Sequence, residues 1–410
     1  MKYGLIGEKL GHSFSKTIHG MLSDNPYELY ELERDELEEF MRAKNFLGIN
    51  VTVPYKEAVI PYLDSIDESA EKIGAVNTVI RRGGALTGYN TDFYGMKMLF
   101  AHANIDVCGK KAVILGSGGT SKTAFAVLRS LGAGEILRVG RTARDGVISY
   151  SELYEKHTDS EIIVNTTPVG MFPSISGAAI ELSRFDNLHG VLDAVYNPLR
   201  SELVAAARAR KINAEGGLYM LVAQAVKASE IFLDKQYPDG TLDKIYNHIK
   251  RDKENIVLIG MPASGKSTVG RILAKKTGRK LVDTDELIVE RAKMQIKDIF
   301  ASLGEDEFRK LESEVVAEVS ANNSLIISTG GGAILKEENA LNLKKNGKLY
   351  FIDRPLSRLI PTASRPLASD REAIEKRYAE RYGIYCEVCD QRIDADCEAN
   401  AVADKILESF

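Results

Sequence analysis

The chain has 410 residues, of which 44% are hydrophobic and 27% are charged. This length predicts two or three domains, because single hydrophobic cores stop growing at about 250–300 residues, and the composition excludes a largely disordered chain. The net charge is −4, with 54 basic and 58 acidic side chains interspersed, so no basic surface for nucleic acid or an anionic membrane is indicated. We expect a protein that acts on small molecules.

Targeting signals and a disulfide framework are not indicated. The first residues, MKYGLIGEKLGHS, contain too short an apolar run for a secretory signal, and no run reaches the roughly 18 apolar residues of a spanning helix. Four cysteines are too few for a disulfide framework, so we expect a cytoplasmic protein. Cys386 and Cys389 form a C-x-x-C pair without a second pair or a nearby histidine, which fits buried thiols better than a metal site.

Short apolar runs alternate with amphipathic stretches along the chain, a pattern typical of βαβ units with mainly parallel sheets. Residues 74–92 predict a β-hairpin instead, with Gly83 and Gly84 at its turn. A helix is predicted from Met220 to about Asp234, and the polar stretch YNHIKRDKEN is typical of a short charged linker. Strands are predicted within the segments 2–7, 27–32, 46–54, 110–119, 135–140, 161–168 and 190–196.

The segment VILGSGGTS places Gly116, Gly118 and Gly119 at a predicted strand-to-helix turn. Without side chains, such a turn lets the backbone approach a pyrophosphate, whose charge meets the N-terminus of the following helix. Ser121 stands where the G-x-G-x-x-G fingerprint has its third glycine. The motif alone therefore does not distinguish a dinucleotide site from a plain glycine-rich turn.

The stretch after the next predicted strand indicates which dinucleotide would bind. An acidic side chain about 20 residues after the glycines would bind the ribose hydroxyl of NAD. The sequence there is RVGRTAR, which offers Arg141, Thr142 and Arg144 to a 2′-phosphate instead. We expect NADP(H), and a solvated basic loop is the alternative for this stretch taken alone.

A dehydrogenase also needs a group that gives or takes the alcohol proton. Lys56 in NVTVPYK and Asp92 in GYNTDFYG are the candidates. A lysine beside a carboxylate can pass a proton to a developing alkoxide and stabilise it electrostatically. By spacing alone, Lys56 is better explained as a solvated lysine at the start of a helix.

Nine segments occur in order over residues 1–235 and together closely resemble the shikimate dehydrogenase family: GHSFSK, NVTVPYK, GAVNTV, GYNTDFYG, GSGGTS, GRT, NTTPVGM, DAVYNP and GLYMLVAQA. The resemblance implies NADPH-dependent reduction of 3-dehydroshikimate to shikimate. It also implies an α/β substrate domain at 1–100, completed by helices at about 220–248, and a Rossmann NADP-binding domain at 101–219. Gly140 stands where the family usually has an asparagine, so we expect weaker NADP binding at that point.

The resemblance assigns roles residue by residue. Ser13 and Ser15 would hold the substrate carboxylate, and Tyr196 would line the same pocket. The ring hydroxyls would be held by Thr52, Lys56, Asn77, Asp92 and Gln224. The cofactor would contact Gly116, Ser117, Gly118, Gly119, Thr120, Ser121, Arg141, Thr142, Arg144, Thr166, Gly217 and Met220.

A second nucleotide motif lies further along the chain. GMPASGKS fits G-x-x-x-x-G-K-[ST] directly after the predicted strand NIVLI and before the helical stretch TVGRILAKKTG. Its backbone N–H groups would cradle the phosphates of ATP, Lys266 would reach the β and γ phosphates, and Ser267 would ligate Mg²⁺. The residues expected at ATP are Gly260, Met261, Pro262, Ala263, Ser264, Gly265, Lys266, Ser267 and Thr268.

Two aspartates follow in LVDTDELI, at the end of another predicted strand. Asp283 and Asp285 are two residues apart and point the same way if that backbone is extended. One carboxylate can then lie near the metal ion while the other takes an alcohol proton. Two solvated loop aspartates are the alternative.

Six segments resemble the shikimate kinase family in order over about 254–410: GMPASGKS, DTDELI, IFASLGEDEFRKLE, STGGGAI, SRPL and RYGIY. The resemblance implies a parallel-sheet P-loop domain of the nucleoside monophosphate kinase type at 256–410, after a linker at 249–255. It implies MgATP-dependent phosphorylation of shikimate at its 3-hydroxyl.

The second resemblance also assigns roles. The metal ion would lie at Ser267 and Asp283. Arg358 would stack on adenine and Arg365 would close a lid over the phosphates, although Pro361 and Ala368 depart from the family pattern there. Shikimate would be held by Asp285, Arg309, Gly330, Gly331, Gly332 and Arg381.

The two halves share one compound, because the alcohol made by the first is the acceptor of the second. This accounts for two kinds of nucleotide site in one chain. The alternatives are a quinate/shikimate-type NAD(P) dehydrogenase fused to a related small-molecule kinase, and an inactive nucleotide-binding regulator. We expect small-molecule partners and neither nucleic acid nor membrane, and the sequence leaves the oligomeric state open.

Overall fold

The computed structural model describes residues 2–11, 13–359 and 371–410. The chain divides into two compact units, Met1–Ile249 and Lys250–Phe410. Both units combine mainly parallel sheets with helices, so the predicted α/β class is confirmed.

The first unit opens with a six-stranded sheet and four helices. The strands are β1 (Tyr3–Gly7), β2 (Tyr27–Glu31), β3 (Gly48–Val51), β4 (Ser65–Ile66), β5 (Thr78–Arg82) and β6 (Ala85–Tyr89). The helices are α1 (Ser15–Leu22), α2 (Leu37–Ala43), α3 (Glu68–Ile73) and α4 (Thr91–His102). The strand order is β2-β1-β3-β5-β6-β4.

The predicted hairpin is present in this first sheet. β5 pairs antiparallel with β6, and Gly83 and Gly84 connect them with φ values of 57° and 86°. A side chain disfavours such φ values, which explains why both turn residues are glycines. The hairpin brings Asn77, just before β5, close to Thr91, just after β6.

A second six-stranded sheet follows in the same unit. Its strands are β7 (Lys111–Leu115), β8 (Glu135–Gly140), β9 (Ile148–Ser149), β10 (Ile162–Asn165), β11 (Gly190–Asp193) and β12 (Asn213–Glu215). Its helices are α5 (Gly119–Ser130), α6 (Tyr150–Lys156) and α7 (Glu202–Ala209). All pairs are parallel in the order β12-β11-β10-β7-β8-β9, the doubly wound arrangement that binds dinucleotides at the end of its first strand.

Two further helices follow, α8 (Leu218–Leu233) and α9 (Thr241–Lys253), and α9 belongs to the first unit as far as Ile249. α8 packs against α1 and α4, and Ile245 and Ile249 of α9 are buried in the same core. The expected linker at 249–255 is therefore wrong, because α9 continues to Lys253 and the next strand begins at Asn255. Ile245 and Ile249 are four positions apart, as one face of a helix requires, and the charged run 250–254 that follows conceals this stripe in the sequence.

His19 on α1 is buried in the first unit, and its pKa affects stability. Its ring stacks on Tyr27 with 3.9 Å between centroids, and burial lowers its pKa to about 3, against a weaker opposing hydrogen bond from Asn50. The imidazole is thus neutral in the folded state but takes a proton in the unfolded state below pH 6.5. Folding stability is therefore lost as the pH falls from 6.5 towards 3.

We expect His19→Phe to remove this pH dependence, because phenylalanine can keep the stacking and has no proton to take up. Between pH 7.5 and pH 5, wild type should lose about 2 kcal/mol more of its free energy of unfolding than the variant. Chemical denaturation at the two pH values measures this difference. His248→Gln, at an exposed position of α9, serves as the control and should behave as wild type. Equal pH dependence in wild type and His19→Phe would contradict the prediction.

The second unit has one five-stranded parallel sheet. Its strands are β13 (Asn255–Ile259), β14 (Lys280–Asp283), β15 (Leu325–Ser328), β16 (Gly347–Asp353) and β17 (Gln391–Asp394), in the order β14-β15-β13-β16-β17. The apolar run Ile256–Ile259 lies at the sheet centre and is fully buried, as strands covered on both faces require.

Helices cover the two faces of this sheet. They are α10 (Lys266–Thr277), α11 (Thr284–Ala292), α12 (Ile296–Ser302), α13 (Gly304–Ala321), α14 (Glu337–Asn346), α15 (Arg371–Val388) and α16 (Ala399–Ser409). One core includes β13 and α13, and a second includes β13 and α16. Across the residues that the structure describes, no helix has both the length and the apolar character needed to cross a bilayer.

Candidate active sites

A cavity of about 550 Å³ opens in the first unit, beside the carboxyl ends of β1 and β3. Its walls also include residues that follow β10 and β11 and the beginning of α8. The residues assigned to the dehydrogenase substrate all line it: Ser13, Ser15, Thr52, Lys56, Asn77, Asp92, Tyr196 and Gln224. From the cofactor set, Thr120, Gly217 and Met220 line it as well. Residues far apart in sequence are therefore brought into one site.

Lys56 and Asp92 form an ion pair in this cavity, with 2.6 Å between Nζ and Oδ2. Lys56 lies in the turn after β3, where its carbonyl accepts the Val76 N–H, and Asp92 lies in the first turn of α4. The two side chains are only 16% and 10% exposed. Lys56 is therefore neither solvated nor at the start of a helix, and its ammonium can donate to a ligand oxygen.

Hydroxyl and amide groups surround the ion pair. The Ser15 N–H donates to Ser13 Oγ at 3.2 Å, which holds the two serines side by side. Gln224 Nε2 donates to the Leu221 carbonyl at 2.7 Å. Burial raises the pKa of Tyr196, so its hydroxyl stays protonated, and its ring packs edge-on against Phe14. The wall thus suits a small ligand with several hydroxyl groups.

Several residues that line the cavity were not predicted from the sequence. They are Lys9, Asn50, Met171, Phe172 and Asn197, together with apolar residues around them. Asn50 could have been found, because it precedes Thr52 by two residues in an extended segment and so shares its face. Lys9 adds a positive charge to the wall beyond the Lys56–Asp92 pair. A negatively charged ligand is favoured by this balance.

The first glycine-rich turn has the shape that phosphate binding requires. Gly116 has φ 111°, and a Cβ there would lie 2.6 Å from Thr166 Oγ1. α5 begins directly after Gly118, so its first N–H groups face this turn. Ser121 Oγ is buried and has no hydrogen-bond partner among the described residues. Unpaired donors beside a glycine turn fit an anionic group.

The basic loop after β8 reaches the glycine turn. Arg141, Thr142 and Arg144 are exposed there, and Arg144 Nη2 donates to the Ser117 carbonyl at 3.4 Å. At Gly140, a Cβ would lie 3.0 Å from Val147 Cγ1. An asparagine there would require the Val147 side chain to shift slightly.

The P-loop of the second unit connects β13 to α10, as its motif predicts. Lys266 is buried, and its Nζ donates to the carbonyls of Gly260 and Met261, each at 2.9 Å. Gly260 and Gly265 have φ values of 145° and 95°, and a Cβ at Gly260 would lie 2.9 Å from the Ile352 carbonyl. The loop conformation therefore depends on glycine at both positions.

Asp283 connects the P-loop to the next helix. Ser267 Oγ donates to Asp283 Oδ2 at 2.8 Å, and Asp283 Oδ1 accepts the Asp285 N–H at 3.0 Å. The extended backbone on which Asp283 and Asp285 would point the same way is not present, because α11 begins at Thr284. Asp285 faces Gly330 instead, where a Cβ would lie 2.6 Å from its Oδ1.

Arg309 lies on α13 and is held by two glutamates. Its Nη1 is 2.7 Å from Glu312 Oε2, and its Nη2 is 3.0 Å from Glu305 Oε1. Glu312 is 1% exposed, and burial raises its pKa although Arg309 opposes the shift. The sequence reasoning missed Glu312, which its position three residues after Arg309 on a helix could have indicated.

Arg381 approaches the same region from α15. It is 8% exposed, and its Nη1 donates to the Gly331 carbonyl at 3.3 Å. Tyr385 donates its hydroxyl to the same carbonyl. A Cβ at Gly331 would lie 2.8 Å from Pro262 Cδ, and one at Gly332 would collide with Arg309. The three glycines therefore lie between the P-loop and the two arginines and leave room for close contact.

The remaining kinase residues are the arginines assigned to adenine and to the lid, Arg358 and Arg365. Arg358 is 57% exposed and pairs with Asp396, with 2.6 Å between Nε and Oδ1. Arg365, Pro361 and Ala368 lie outside the described residues.

The C-x-x-C pair differs from expectation. Both thiols are free, Cys386 is exposed and Cys389 is half-buried, so the prediction of buried thiols is wrong for Cys386. Within the part of the chain that the structure describes, no group of three or more His, Cys, Asp or Glu side chains could hold a metal ion.

The fold and the sites define a Rossmann-type dehydrogenase unit followed by a P-loop kinase unit. The family model for the shikimate dehydrogenase substrate binding domain matches residues 5–79, and the model for shikimate kinase matches residues 262–410. The chain belongs to the shikimate dehydrogenase family and carries a shikimate kinase domain after it. A shikimate dehydrogenase (NADP(+)) of Clostridium perfringens is 36% identical over 266 residues, which cover 60% of this chain and 98% of that protein.

A further relative and two solved structures are also shikimate dehydrogenases or contain one. The shikimate dehydrogenase (NADP(+)) of Halothermothrix orenii is 39% identical, covering 56% of this chain and 89% of that protein. Shikimate dehydrogenase 1 of Peptoclostridium difficile has 38% identity and a TM-score of 0.57, covering 61% of this chain and 98% of that structure. A chorismate mutase/shikimate 5-dehydrogenase fusion protein of Clostridium acetobutylicum has 34% identity and a TM-score of 0.58, covering 61% and 96%.

Proposed function

We propose that this chain catalyses two consecutive reactions. The first is the NADPH-dependent reduction of 3-dehydroshikimate to shikimate, and the second is the MgATP-dependent phosphorylation of shikimate at its 3-hydroxyl. One observation carries the proposal: a single chain combines a shikimate dehydrogenase unit, whose cavity holds the Lys56–Asp92 pair, with a shikimate kinase domain. The product of the first unit is then the acceptor of the second.

In the dehydrogenase unit, the chain's own residues handle the proton and the orientation of the ring. NADPH, when bound, supplies the hydride. Lys56 donates a proton to the oxygen that becomes the hydroxyl, and Asp92, 2.6 Å away, orients the ammonium. Ser13 and Ser15 would bind the carboxylate. The hydroxyl and amide groups of Thr52, Asn77, Tyr196 and Gln224 would hold the ring.

The glycine turn and the basic loop support NADP(H) as the cofactor. The turn at Gly116 and the N-terminus of α5 would receive the pyrophosphate. Arg141, Thr142 and Arg144 would receive the 2′-phosphate, since they are exposed and close to the turn. NAD lacks this phosphate and would bind more weakly.

In the kinase unit, the P-loop backbone and Lys266 would bind and neutralise the phosphates of ATP. Asp285 would take the proton of the 3-hydroxyl. Arg309 and Arg381 would bind the carboxylate, because planar guanidinium groups pair with it bidentately. Glu312 would keep Arg309 oriented through its 2.7 Å contact.

Ser267 and Asp283 fit a magnesium ion at this site. Their oxygen atoms lie 2.8 Å apart beside the P-loop, and Mg²⁺ prefers oxygen ligands. The ion, when bound with ATP, neutralises charge on the β and γ phosphates.

We place both reactions in the cytoplasm, in line with four free thiols and no disulfide among the described residues.

A coupled assay tests the whole proposal. The intact chain is supplied with 3-dehydroshikimate, NADPH and MgATP, and the loss of NADPH absorbance and the formation of shikimate 3-phosphate are followed together. We expect one NADPH consumed per phosphate ester formed at completion, and shikimate to accumulate when ATP is left out. Quinate in place of shikimate, with NADP or NAD, serves as the control for the related ring acid. A folded chain that leaves shikimate neither oxidised nor phosphorylated would refute the proposal.

We expect Arg381→Lys to raise the KM of the kinase for shikimate by about 10-fold to 100-fold, which corresponds to the loss of one hydrogen bond to a charged group. Lysine keeps the charge but not the bidentate geometry, so kcat should fall much less. Initial rates at varied shikimate measure the two constants. Arg377→Lys, one turn earlier on α15, is the matched control. An unchanged KM in the Arg381 variant would remove this residue from the carboxylate site.

A further inference from the structure

The side chain of Asn77 has a fixed orientation at the dehydrogenase cavity. Asn77 lines the cavity and is only 3% exposed. The backbone N–H of Thr91 approaches the end of its amide group at 2.7 Å. A backbone N–H can only donate, so the atom that it meets must be the amide oxygen, Oδ1. The hairpin between β5 and β6, which brings these two residues together, therefore determines which way the amide faces.

The amide oxygen has no capacity left for a ligand. An amide oxygen has two lone pairs, and an amide nitrogen has two hydrogens. Thr91 N–H uses one lone pair of Oδ1, and the hydroxyls of Thr78 and Thr91 approach it at 3.1 Å and 3.2 Å to use the other. Asn77 Nδ2 donates one hydrogen to Thr91 Oγ1 at 3.1 Å. Among the described residues it has no further acceptor, so one N–H remains for the cavity.

A second asparagine holds the Thr78 hydroxyl in place. Asn50 Nδ2 donates to Thr78 Oγ1 at 3.0 Å and to the Asn77 carbonyl at 3.3 Å, and Asn50 Oδ1 accepts the hydroxyl of Tyr27 at 2.8 Å. Thr78 is fully buried and Thr91 is 2% exposed, and neither lines the cavity. A buried network whose members are all satisfied is rigid, because any rotation leaves a polar group unpaired.

We propose that Thr78 and Thr91 are positioning residues that make Asn77 a pure hydrogen-bond donor towards the substrate. The substrate must then place an oxygen lone pair, from a hydroxyl or a ketone, against Asn77 Nδ2. A group that can only donate, such as an ammonium, is rejected at that position. The same contacts tie Asn77 to the beginning of α4, next to Asp92. This inference rests on the proposed dehydrogenase function and names how that site selects its ligand.

Thr78→Val tests the proposal, because it removes the hydroxyl at nearly constant shape. Asn77 Oδ1 then loses one of its donors and its amide is held by Thr91 alone, so we expect the Kd and KM for shikimate in NADP-dependent oxidation to rise about 10-fold. That factor corresponds to about 1.4 kcal/mol. Asn77 holds the ring equally before and during hydride transfer, so kcat should stay within about 3-fold. Thr78→Ser restores the hydroxyl and should return KM to within about 2-fold of wild type, which a purely steric role of the methyl group would not allow.

Thr91→Val and Thr91→Ser form a second pair, which keeps the Thr91 N–H bond but removes or retains the acceptor of Asn77 Nδ2. The kinase activity of each variant reports how much intact chain is present. Folded valine variants with wild-type Kd and KM would overturn the proposal. Loss of the folded first unit in both valine variants, with normal serine variants, would assign the network to stability alone and overturn it too. If calorimetry shows that the wild-type chain does not bind shikimate, the proposed dehydrogenase function itself is wrong.

Discussion

Lys56→Ala is expected to lower kcat for the reduction of 3-dehydroshikimate by about 1,000-fold, within the range that removal of a general acid produces. The Lys56 side chain is 16% exposed and its ammonium lies 2.6 Å from Asp92, so the variant loses the positioned proton donor to the new hydroxyl. Water could replace it only without the electrostatic stabilisation of the developing alkoxide. The rate of NADPH oxidation at saturating substrate measures the effect.

The two activities of the chain supply the control for this variant. Phosphorylation of added shikimate by Lys56→Ala should equal that of wild type, because Lys56 lies in the first unit and the P-loop in the second. Lys16→Ala, at an exposed position of α1 outside the cavity lining, should retain both activities. If Lys56→Ala reduces 3-dehydroshikimate at the wild-type rate, another group supplies the proton and the assignment is wrong.

Lys266→Ala should have the opposite pattern, with phosphorylation of shikimate lowered by about 100-fold to 1,000-fold, as for removal of one charge-stabilising donor. The ammonium stabilises negative charge on the phosphates as the γ-phosphoryl group moves, and its buried position at Gly260 and Met261 keeps it at the loop. The rate of shikimate 3-phosphate formation at saturating MgATP measures the loss. NADPH-dependent reduction by the same variant should be unchanged.

Lys275→Ala is the matched control for Lys266, because Lys275 is an exposed lysine further along the same helix, α10. It should phosphorylate shikimate as wild type does. If a folded Lys266→Ala variant lost both activities, the interpretation of two independently acting units would be incorrect.

The local parts of the fold were predictable from the sequence. Strand runs such as KAVIL and NIVLI are apolar and β-branched, and Gly83–Gly84 occupies a turn that requires positive φ. The linker expected at 249–255 was wrong because the helix there is hard to recognise from the sequence. Ile245 and Ile249 are four positions apart but are followed by the charged run 250–254, so the helical stripe that they form is recognisable only once the core that buries it is known.

The residue types of both sites were predictable, but their contacts were not. Asp285 was expected on an extended backbone, whereas the capping of α11 by Asp283 turns the chain there. Glu312 was missed because a helical glutamate is usually solvated, and its burial beside Arg309 depends on how α13 packs.

The sequence by itself determined the two nucleotide-binding turns and the chemistry available at each, because a glycine turn or a P-loop is formed by residues within a few positions of one another. Only the tertiary structure decided that Lys56 meets Asp92, 36 residues away, and that Thr78 and Thr91 leave Asn77 a single free donor. Such contacts follow from strand order and helix packing. Strand order and helix packing depend on the burial of side chains over the whole unit, which cannot be inferred from any short segment.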